Sequence, residues 1–195
     1  MKNTGKSKKK IACLGFAADP PHLGHLQIAR FVLDNNLANE VWLIPCFKHP
    51  CGKSLSSPER RFGMAKLLEE KGIRVSDIEF SRKGKSYTID TVKILKKKFP
   101  NYDFFWVIGS DIVKTKSYKK WKNWAELVSL IKFLVIPRAG FKIKKVSSPL
   151  ILAKAMIDKI SSSEIRARVK QGLSIEKFVT PKTKEYIRKN DLYKP

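Results

Sequence analysis

A histidine pair stands in the turn after the first apolar segment of the chain. The segment Ile11–Phe16 is followed by His22 and His25, and a helical pattern begins at Leu23. Side chains three residues apart at the start of a helix lie on one face, so both imidazoles can meet one ligand. Backbone N–H groups and the helix dipole favour an anion there. Imidazoles that donate hydrogen bonds to a phosphate would stabilise the charge that develops during its transfer. The alternative is a pair of capping or surface histidines.

A second candidate anion site lies near the C-terminal end. Ser161, Ser162 and Ser163 precede a helical pattern, and Arg166 follows one turn later. Serines at a helix N-terminus offer hydroxyls and free backbone N–H groups, and an arginine can bind a phosphate with two parallel hydrogen bonds. A capping box with a surface arginine explains this segment equally well. The phosphate interpretation therefore depends on its combination with the histidine pair.

The elements that must position these residues alternate between apolar runs and amphipathic stretches. Apolar strands separated by helices predict a parallel sheet covered on both faces, with ligands at the carboxyl ends of the strands near the switch point. We predict an α/β fold: a Rossmann-like, doubly wound parallel sheet of five to six strands with a small helical C-terminal end. The predicted strands are Ile11–Phe16, Val41–Pro45, Ile73–Ser76, Phe104–Ile108, Phe133–Ile136 and a short one within Leu150–Ile157; the predicted helices are Leu23–Asn36, Pro58–Lys71, Tyr87–Phe99, Trp121–Leu130, Ser161–Gln171 and Pro181–Asn190.

Length and composition describe one folded domain. The chain has 195 residues, of which 43% are hydrophobic, and this excludes a disordered polyelectrolyte. We predict a basic N-terminal tail over residues 1–9 and a single domain over residues 10–195. No apolar run reaches the roughly 20 residues of a membrane helix, and the start lacks a secretory pattern, so we expect a cytoplasmic protein without a membrane partner. Three cysteines argue against a disulfide framework.

The charge is strongly positive. The net charge of +24 would attract polyanions such as nucleic acid. However, 32 of the 41 basic residues are lysines, whereas base-reading and bidentate phosphate sites favour arginine. The composition therefore disfavours a dedicated nucleic-acid role but leaves it open, and it says nothing about oligomeric state.

Together, the two motifs resemble the nucleotidyltransferase superfamily marked by H-x-G-H and I-S-S-T-x-I-R. Within that superfamily, residues 86–92 resemble the S-Y-T-x-D-T-L segment of the nicotinate mononucleotide adenylyltransferases. The resemblance spans about residues 10–193. It also includes Gly109-Ser110-Asp111, which resembles G-A-D; Trp121 and Trp124, which resemble W-x-x-W; Pro137–Phe141, which resembles R-P-G-Y; and the ending Val179–Tyr193.

The resemblance implies a reaction in NAD biosynthesis. The 5′-phosphate of nicotinate mononucleotide attacks the α-phosphorus of ATP, pyrophosphate leaves, and deamido-NAD forms, with Mg²⁺ accompanying ATP. No protein nucleophile and no protein metal ligand are implied, so catalysis consists of positioning and charge stabilisation. The implied catalytic residues are His22, His25 and Arg166; the implied ATP-binding residues are Gly15, Phe16, Ser162, Ser163 and Asp111; the implied mononucleotide-binding residues are Lys53, Tyr87, Thr88, Trp121 and Arg138, with Trp121 stacked on the pyridine ring and Tyr87 and Thr88 donating to its carboxylate.

The first motif departs from the family pattern G-G-[ST]-F-[DN]-P-x-H-x-G-H. Phe16 replaces the second glycine, Ala17 replaces the hydroxyl residue, and Ala18 replaces the phenylalanine. If that glycine position needs a positive φ, Phe16 would be strained there. We therefore expect weakened ATP contact or a reshaped turn.

The loop after the second strand also departs from the family's P-P-H-K. Cys46, His49 and Cys51 suggest zinc, but three ligands without a fourth form a weak site, so free or buried thiols are favoured. Lys53 remains able to reach a substrate phosphate.

The sequence leaves three functions open. The first is the nicotinate mononucleotide adenylyltransferase. The second is a related adenylyl- or cytidylyltransferase with another phosphorylated acceptor, nicotinamide mononucleotide first. The third is a non-catalytic nucleotide- or RNA-binding relative, which would show steep salt dependence and release no pyrophosphate.

Overall fold

A computed structural model describes residues 8–154, 157–158 and 160–194. Six strands form one sheet in the order 3-2-1-4-5-6, and every adjacent pair is parallel. The strands are β1 Lys9–Phe16, β2 Glu40–Pro45, β3 Ile73–Val75, β4 Tyr102–Gly109, β5 Lys132–Ile136 and β6 Leu150–Leu152; the helices are α1 Leu23–Asp34, α2 Pro58–Lys66, α3 Ile78–Arg82, α4 Thr88–Lys98, α5 Ser110–Lys114, α6 Trp124–Leu130, α7 Ser162–Lys170 and α8 Pro181–Lys189, with a 3₁₀ turn at Ser117–Lys120.

The alternation of side chains along β1 divides the core into two layers. Ala12 and Leu14 join the layer under α1 and α2, whereas Ile11 and Cys13 join the layer under α4 and α6. Successive residues of a strand point to opposite faces, so a strand covered on both faces must be apolar throughout. The predicted Rossmann-like sheet with helices on both faces is therefore confirmed.

The C-terminal end forms a third, smaller cluster. Ile165 of α7 and Ile187 of α8 are buried with Met64 of α2. The Leu23 backbone N–H donates to the Phe178 carbonyl over 2.8 Å, which fastens this end to the start of α1. The C-terminal helices therefore pack beside the turn that carries the histidines.

Several predicted boundaries are wrong. Helix α2 ends at Lys66 rather than Lys71, because Glu70 and Ile73 exchange backbone hydrogen bonds and turn the chain into β3. Lys9, predicted as tail, is the first residue of β1, whereas the short strand predicted within residues 150–157 is present as Leu150–Leu152.

Two further differences concern helices. Residues 110–114 form α5 and residues 78–82 form α3, and the sequence pattern predicts neither helix. Helix α6 begins at Trp124 because Asn123 has a left-handed backbone with φ 52°, so Trp121 lies outside the helix. The rest of the predicted tail, residues 1–7, lies outside the described residues.

Candidate active site

The histidine pair is built into the N-terminus of α1. His22 is the N-cap residue, and its backbone N–H donates to Nδ1 of His25 over 3.1 Å. Because Nδ1 accepts, the proton of a neutral His25 ring is on Nε2, which is its donor atom. The two ring centroids are 3.7 Å apart, so the structure brings the imidazoles together as the spacing predicts.

Burial keeps both imidazoles neutral. Burial, followed by the charge of Arg138, lowers the pKa of His22 to about 3. The pKa of His25 is well below its usual value, first because of burial and then because of His22 and Arg138. A neutral imidazole still donates one hydrogen bond, and negative charge placed beside it favours its protonation.

Arg166 connects α7 with the turn before the histidines. Its Nη1 donates to the Asp19 carbonyl over 2.6 Å, and its Nη2 donates to Oγ of Ser163 over 3.3 Å. The Ser162 hydroxyl donates to the Pro20 carbonyl over 2.9 Å. These side chains therefore hold the N-terminus of α7 against the histidine turn.

Ser161 is the residue that caps α7. Its hydroxyl accepts the backbone N–H of Glu164 over 3.2 Å. Ser162 and Ser163 are thus the first two residues of the helix, where backbone N–H groups lack helical partners and can bind an anion.

Arg138 and Asp111 form an ion pair at the carboxyl ends of β4 and β5. Arg138 Nη1 lies 3.4 Å from Oδ1 and 3.4 Å from Oδ2 of Asp111. Its Nη2 donates to the Ile160 carbonyl over 2.9 Å, and its backbone N–H donates to Oγ of Ser110 over 2.9 Å. The pair is therefore fixed to the segment that leads into α7.

Two adjoining cavities lie at this edge of the sheet, where β1 and β4 diverge. The first has a volume of about 590 Å³ and contains all the residues predicted to be catalytic or ATP-binding. They are His22, His25, Arg166, Gly15, Phe16, Ser162, Ser163 and Asp111.

The second cavity has a volume of about 660 Å³ and lies at the N-terminus of α4. Tyr87 is the N-cap residue of that helix and Thr88 is its first residue, and both line the cavity together with Lys53 and Trp121. Arg138, predicted to bind the mononucleotide with them, lines the first cavity instead, because Asp111 holds it there. The two cavities share a wall that includes Gly15, Phe16, Lys53, Trp106 and Trp121.

Trp121 is held against α4 by its neighbour in the chain. The Lys122 ammonium lies 4.7 Å from the centre of the Tyr87 ring and 3.2 Å from Oδ2 of Asp90. The Trp121 ring packs edge-on against Trp124, with centroids 6.3 Å apart. The second cavity is thus enclosed by an aromatic plane on one side and a helix N-terminus on the other.

The unusual turn after β1 is not strained at Phe16. The positive φ of this segment falls on Ala18, at 58°, so the expectation of strain at Phe16 is wrong. The Phe16 ring packs against His25 with centroids 4.6 Å apart. Gly15 is needed because a Cβ there would lie 2.7 Å from the Trp106 ring. A phenylalanine ring therefore supports a histidine at this turn.

Sequence reasoning missed a buried arginine that joins the loops around both cavities. Arg61 is 1% exposed and donates to the carbonyls of Ala17 and Ser56, each over 2.9 Å. It also donates to the carbonyls of Cys46 and Phe47. On α2, Arg61 lies three and four residues before the buried Met64 and Ala65, so it shares their face of the helix. This spacing is the signal that could have identified it.

Asp19 is a second missed residue. Its Oδ1 accepts from the Tyr193 hydroxyl over 2.7 Å, and its Oδ2 accepts from the Ser56 backbone N–H over 3.1 Å. The side chain is 2% exposed. Asp19 therefore joins the histidine turn to the loop after β2 and to the C-terminal end.

The cysteine-containing loop holds free thiols. Cys46 is buried beside Arg61 and Cys51 is exposed, while Nδ1 of His49 accepts the Cys51 backbone N–H over 3.1 Å. Over the described part of the chain, no three His, Cys, Asp or Glu side chains are grouped as metal ligands. Within the same residues, no helix has the length and apolarity required to cross a membrane.

Comparison with known proteins shows that this Rossmann-like chain is a nucleotidyltransferase. Residues 17–168 match the family model described as cytidylyltransferase-like. The chain is also similar to a solved structure, the Plasmodium falciparum nicotinic acid mononucleotide adenylyltransferase complexed with NaAD. That similarity has a TM-score of 0.81 and 28% identity, and covers 95% of this chain and 97% of the other.

Two curated relatives narrow the family. A Shouchella clausii protein named "Probable nicotinate-nucleotide adenylyltransferase" is 40% identical over 95% of this chain and 97% of its own length. The nicotinate-nucleotide adenylyltransferase of Bacillus subtilis is 34% identical over 95% of this chain and 98% of its own. The chain therefore belongs to the nicotinate-nucleotide adenylyltransferase family of the cytidylyltransferase-like proteins.

Proposed function

We propose that the protein transfers the adenylyl group of ATP to nicotinate mononucleotide, giving deamido-NAD and pyrophosphate. The observation that supports this most directly is the pair of adjoining cavities with a shared wall, one of which contains the histidine pair. Two nucleotides that react with each other need two neighbouring sites whose phosphate ends meet.

ATP occupies the first cavity in this proposal. Its phosphates lie between the histidine pair and the N-terminus of α7, where Ser162 and Ser163 offer backbone N–H groups. Arg166 binds the leaving phosphates with the guanidinium that now bonds to Asp19 and Ser163. Asp111 and Arg138 border the same cavity, so we assign Arg138 to the ATP side rather than to the pyridine ring.

The mononucleotide occupies the second cavity. Its pyridine ring stacks on Trp121, and its carboxylate accepts hydrogen bonds at the N-terminus of α4, at Tyr87 and Thr88. Lys53 lines both cavities and is suited to the 5′-phosphate that must reach across the shared wall.

The reaction needs no covalent intermediate with the protein. An oxygen of the 5′-phosphate attacks the α-phosphorus of ATP, and the bond from that phosphorus to the bridging oxygen breaks. Pyrophosphate leaves with the bridging oxygen. His25 donates a hydrogen bond through Nε2. Both imidazoles are neutral before the reaction, and both stabilise the negative charge that grows on the phosphoryl oxygens.

Mg²⁺ enters this proposal with ATP. Asp111, a carboxylate on the wall of the first cavity, is already paired with Arg138, and the described residues contain no metal-ligand group. Phosphate oxygens and waters would be its ligands, as is common for Mg²⁺ at nucleotide sites, and the ion would neutralise phosphate charge there. We also propose a cytoplasmic location, which is consistent with three unpaired cysteines.

The test is pyrophosphate release with ATP and Mg²⁺, with nicotinate mononucleotide or nicotinamide mononucleotide as acceptor in separate reactions. We expect release with the acid acceptor, and we expect His22→Ala to abolish it. Release with neither acceptor would contradict the proposal and would direct attention to other phosphorylated acceptors and to RNA.

A further inference from the structure

A buried carboxyl group borders the second cavity and has no role in the reaction described above. Glu79 of α3 is 4% exposed and lines that cavity together with Tyr87 and Thr88. The Thr91 hydroxyl donates to its Oε1 over 2.7 Å. Its Oε2 is also buried, and Ser86 is a second hydrogen-bonding neighbour of the carboxyl group. A buried carboxyl group is costly, so its place beside a binding cavity suggests a function.

The position of Glu79 relates it to the N-terminus of α4. Thr91 is the fourth residue of that helix, so the carboxyl group packs against its first turn. Ser86, just before the helix, accepts the Phe47 backbone N–H over 2.8 Å, which joins the same turn to the loop after β2. Glu79 thus lies beside the helix end at which the acceptor's carboxylate binds in the proposed function.

The surroundings of Glu79 disfavour its charged form. Burial raises the pKa of this carboxyl group above the usual glutamate value, against the lowering influence of Ser86, Thr91 and Arg82. An ionised Glu79 would place a second negative charge at the helix end that must hold the acceptor's carboxylate. The charged or titratable groups around it are Arg82 on its own helix, Tyr87 and Asp90 at the start of α4, Arg61 on α2, Cys46, His49, Cys51 and Lys53 in the loop after β2, and Lys120 and Lys122 beside Trp121.

We propose that Glu79 is a positioning residue that sets the choice between an acidic and an amide acceptor. Protonated, it supports the first turn of α4 and leaves the positive helix end to the nicotinate carboxylate. Ionised, it repels that carboxylate but not the neutral carboxamide of nicotinamide mononucleotide. This inference rests on the proposed function, because it needs the acceptor's ring in the second cavity.

The test is the ratio of kcat/KM for nicotinate mononucleotide to kcat/KM for nicotinamide mononucleotide, measured from pH 5.5 to pH 9. Both reactions use the same ATP site, the same histidine pair and the same acceptor phosphate. The titrations of those groups therefore cancel in the ratio. We expect the ratio to fall with rising pH, by on the order of tenfold for one nearby like charge. Glu79→Gln, which stays neutral, is expected to keep the low-pH ratio over the whole range.

Three controls separate this role from a structural one. Thr91→Val removes the hydrogen bond to Oε1 but keeps the titrating group, so the ratio should still change with pH. His49→Asn removes the imidazole that lines this cavity, whose pKa is lowered first by burial and then by the charges of Lys53 and Arg61, and it should also keep the dependence. Glu126→Gln repeats the chemical change at an exposed, ion-paired site and should resemble the unmodified protein.

A flat ratio in the unmodified protein, or an unchanged slope in Glu79→Gln, would overturn the proposal. A slope lost only in His49→Asn would also overturn it, by assigning the titration to His49. Failure of the proposed function itself gives a different result, because the unmodified protein would then release no pyrophosphate with either acceptor.

Discussion

The two cavities differ in how the chain builds them. Most of the side chains assigned to phosphate binding in the first come from two short motifs, at residues 15–25 and 161–166, and Asp111 and Arg138 join them from the ends of β4 and β5. The second gathers single residues from the loop after β2, from α3, from the start of α4 and from the segment before α6. The side that carries the charge chemistry is therefore specified locally, whereas the side that selects the acceptor depends on long-range packing.

This difference predicts different responses to mutation. Changes at the first cavity should remove stabilisation of the transition state and leave the fold intact. Changes to the residues that join the loops should disturb both cavities at once. Changes at the second cavity should raise the KM of the acceptor and spare that of ATP.

The largest expected effect is on the histidine pair. His25→Ala removes the Nε2 donor beside the phosphates, and we expect kcat to fall by roughly 10²–10³-fold, as for the loss of one oxyanion donor. Steady-state pyrophosphate release measures this. His49→Ala, which changes the third histidine of the chain, should cause a far smaller loss of kcat; an equal loss would contradict the special role of the pair.

The next effect concerns Arg61, which joins the loops around both cavities. Arg61→Met leaves four carbonyls without their donor, and we expect a loss of about 3 kcal/mol in the free energy of unfolding. Urea denaturation measures this loss. The neighbouring Arg60 is exposed, so Arg60→Met is the matched control and should stay within about 0.5 kcal/mol of the unmodified protein.

A smaller effect follows from the burial of His22. Its pKa is about 3 in the folded protein and about 6.5 when unfolded, so the unfolded chain binds the extra proton as the pH falls below 6.5. The full free energy of unfolding is therefore present above pH 6.5, and about 2 kcal/mol of it is lost at pH 5. Urea denaturation at pH 7.5 and pH 5 should show the loss, and His22→Gln should reduce it. Equal pH dependence in both proteins would contradict the neutral buried state.

The smallest expected effect is at Trp121. Trp121→Ala removes the proposed stacking surface, and we expect the KM of nicotinate mononucleotide to rise by about tenfold, since stacking of a base on an aromatic ring contributes about 1–3 kcal/mol. The KM of ATP should change little. Trp124→Ala is the control, because Trp124 packs against Trp121 but lines neither cavity.

The fold was largely predictable because its signals are local. Each central strand contains a continuous apolar run, and helix starts such as Ser57-Pro58 are visible in the sequence. The ends of helices were less predictable, since the stop of α2 depends on hydrogen bonds between Glu70 and Ile73 that form only in the folded chain.

The candidate site was predictable to a different degree in each cavity. The histidine pair follows from spacing alone. Arg61, Asp19 and Glu79 escaped prediction because each acts through contacts with residues far away in sequence, such as the 174-residue separation between Asp19 and Tyr193. Arg138 lies on the side of the first cavity because it forms an ion pair with Asp111, 27 residues away in sequence. No local sequence pattern reveals that pair.

The central claim is that ATP binds beside the histidine pair and the mononucleotide binds beside Trp121. The most direct measurement is the KM of each substrate in Arg166→Met and in Trp121→Ala, compared with the unmodified protein. We predict a crossed pattern: Arg166→Met raises the KM of ATP and lowers kcat, whereas Trp121→Ala raises the KM of nicotinate mononucleotide alone. If both variants raised the KM of the same substrate, the assignment of the two cavities would be contradicted.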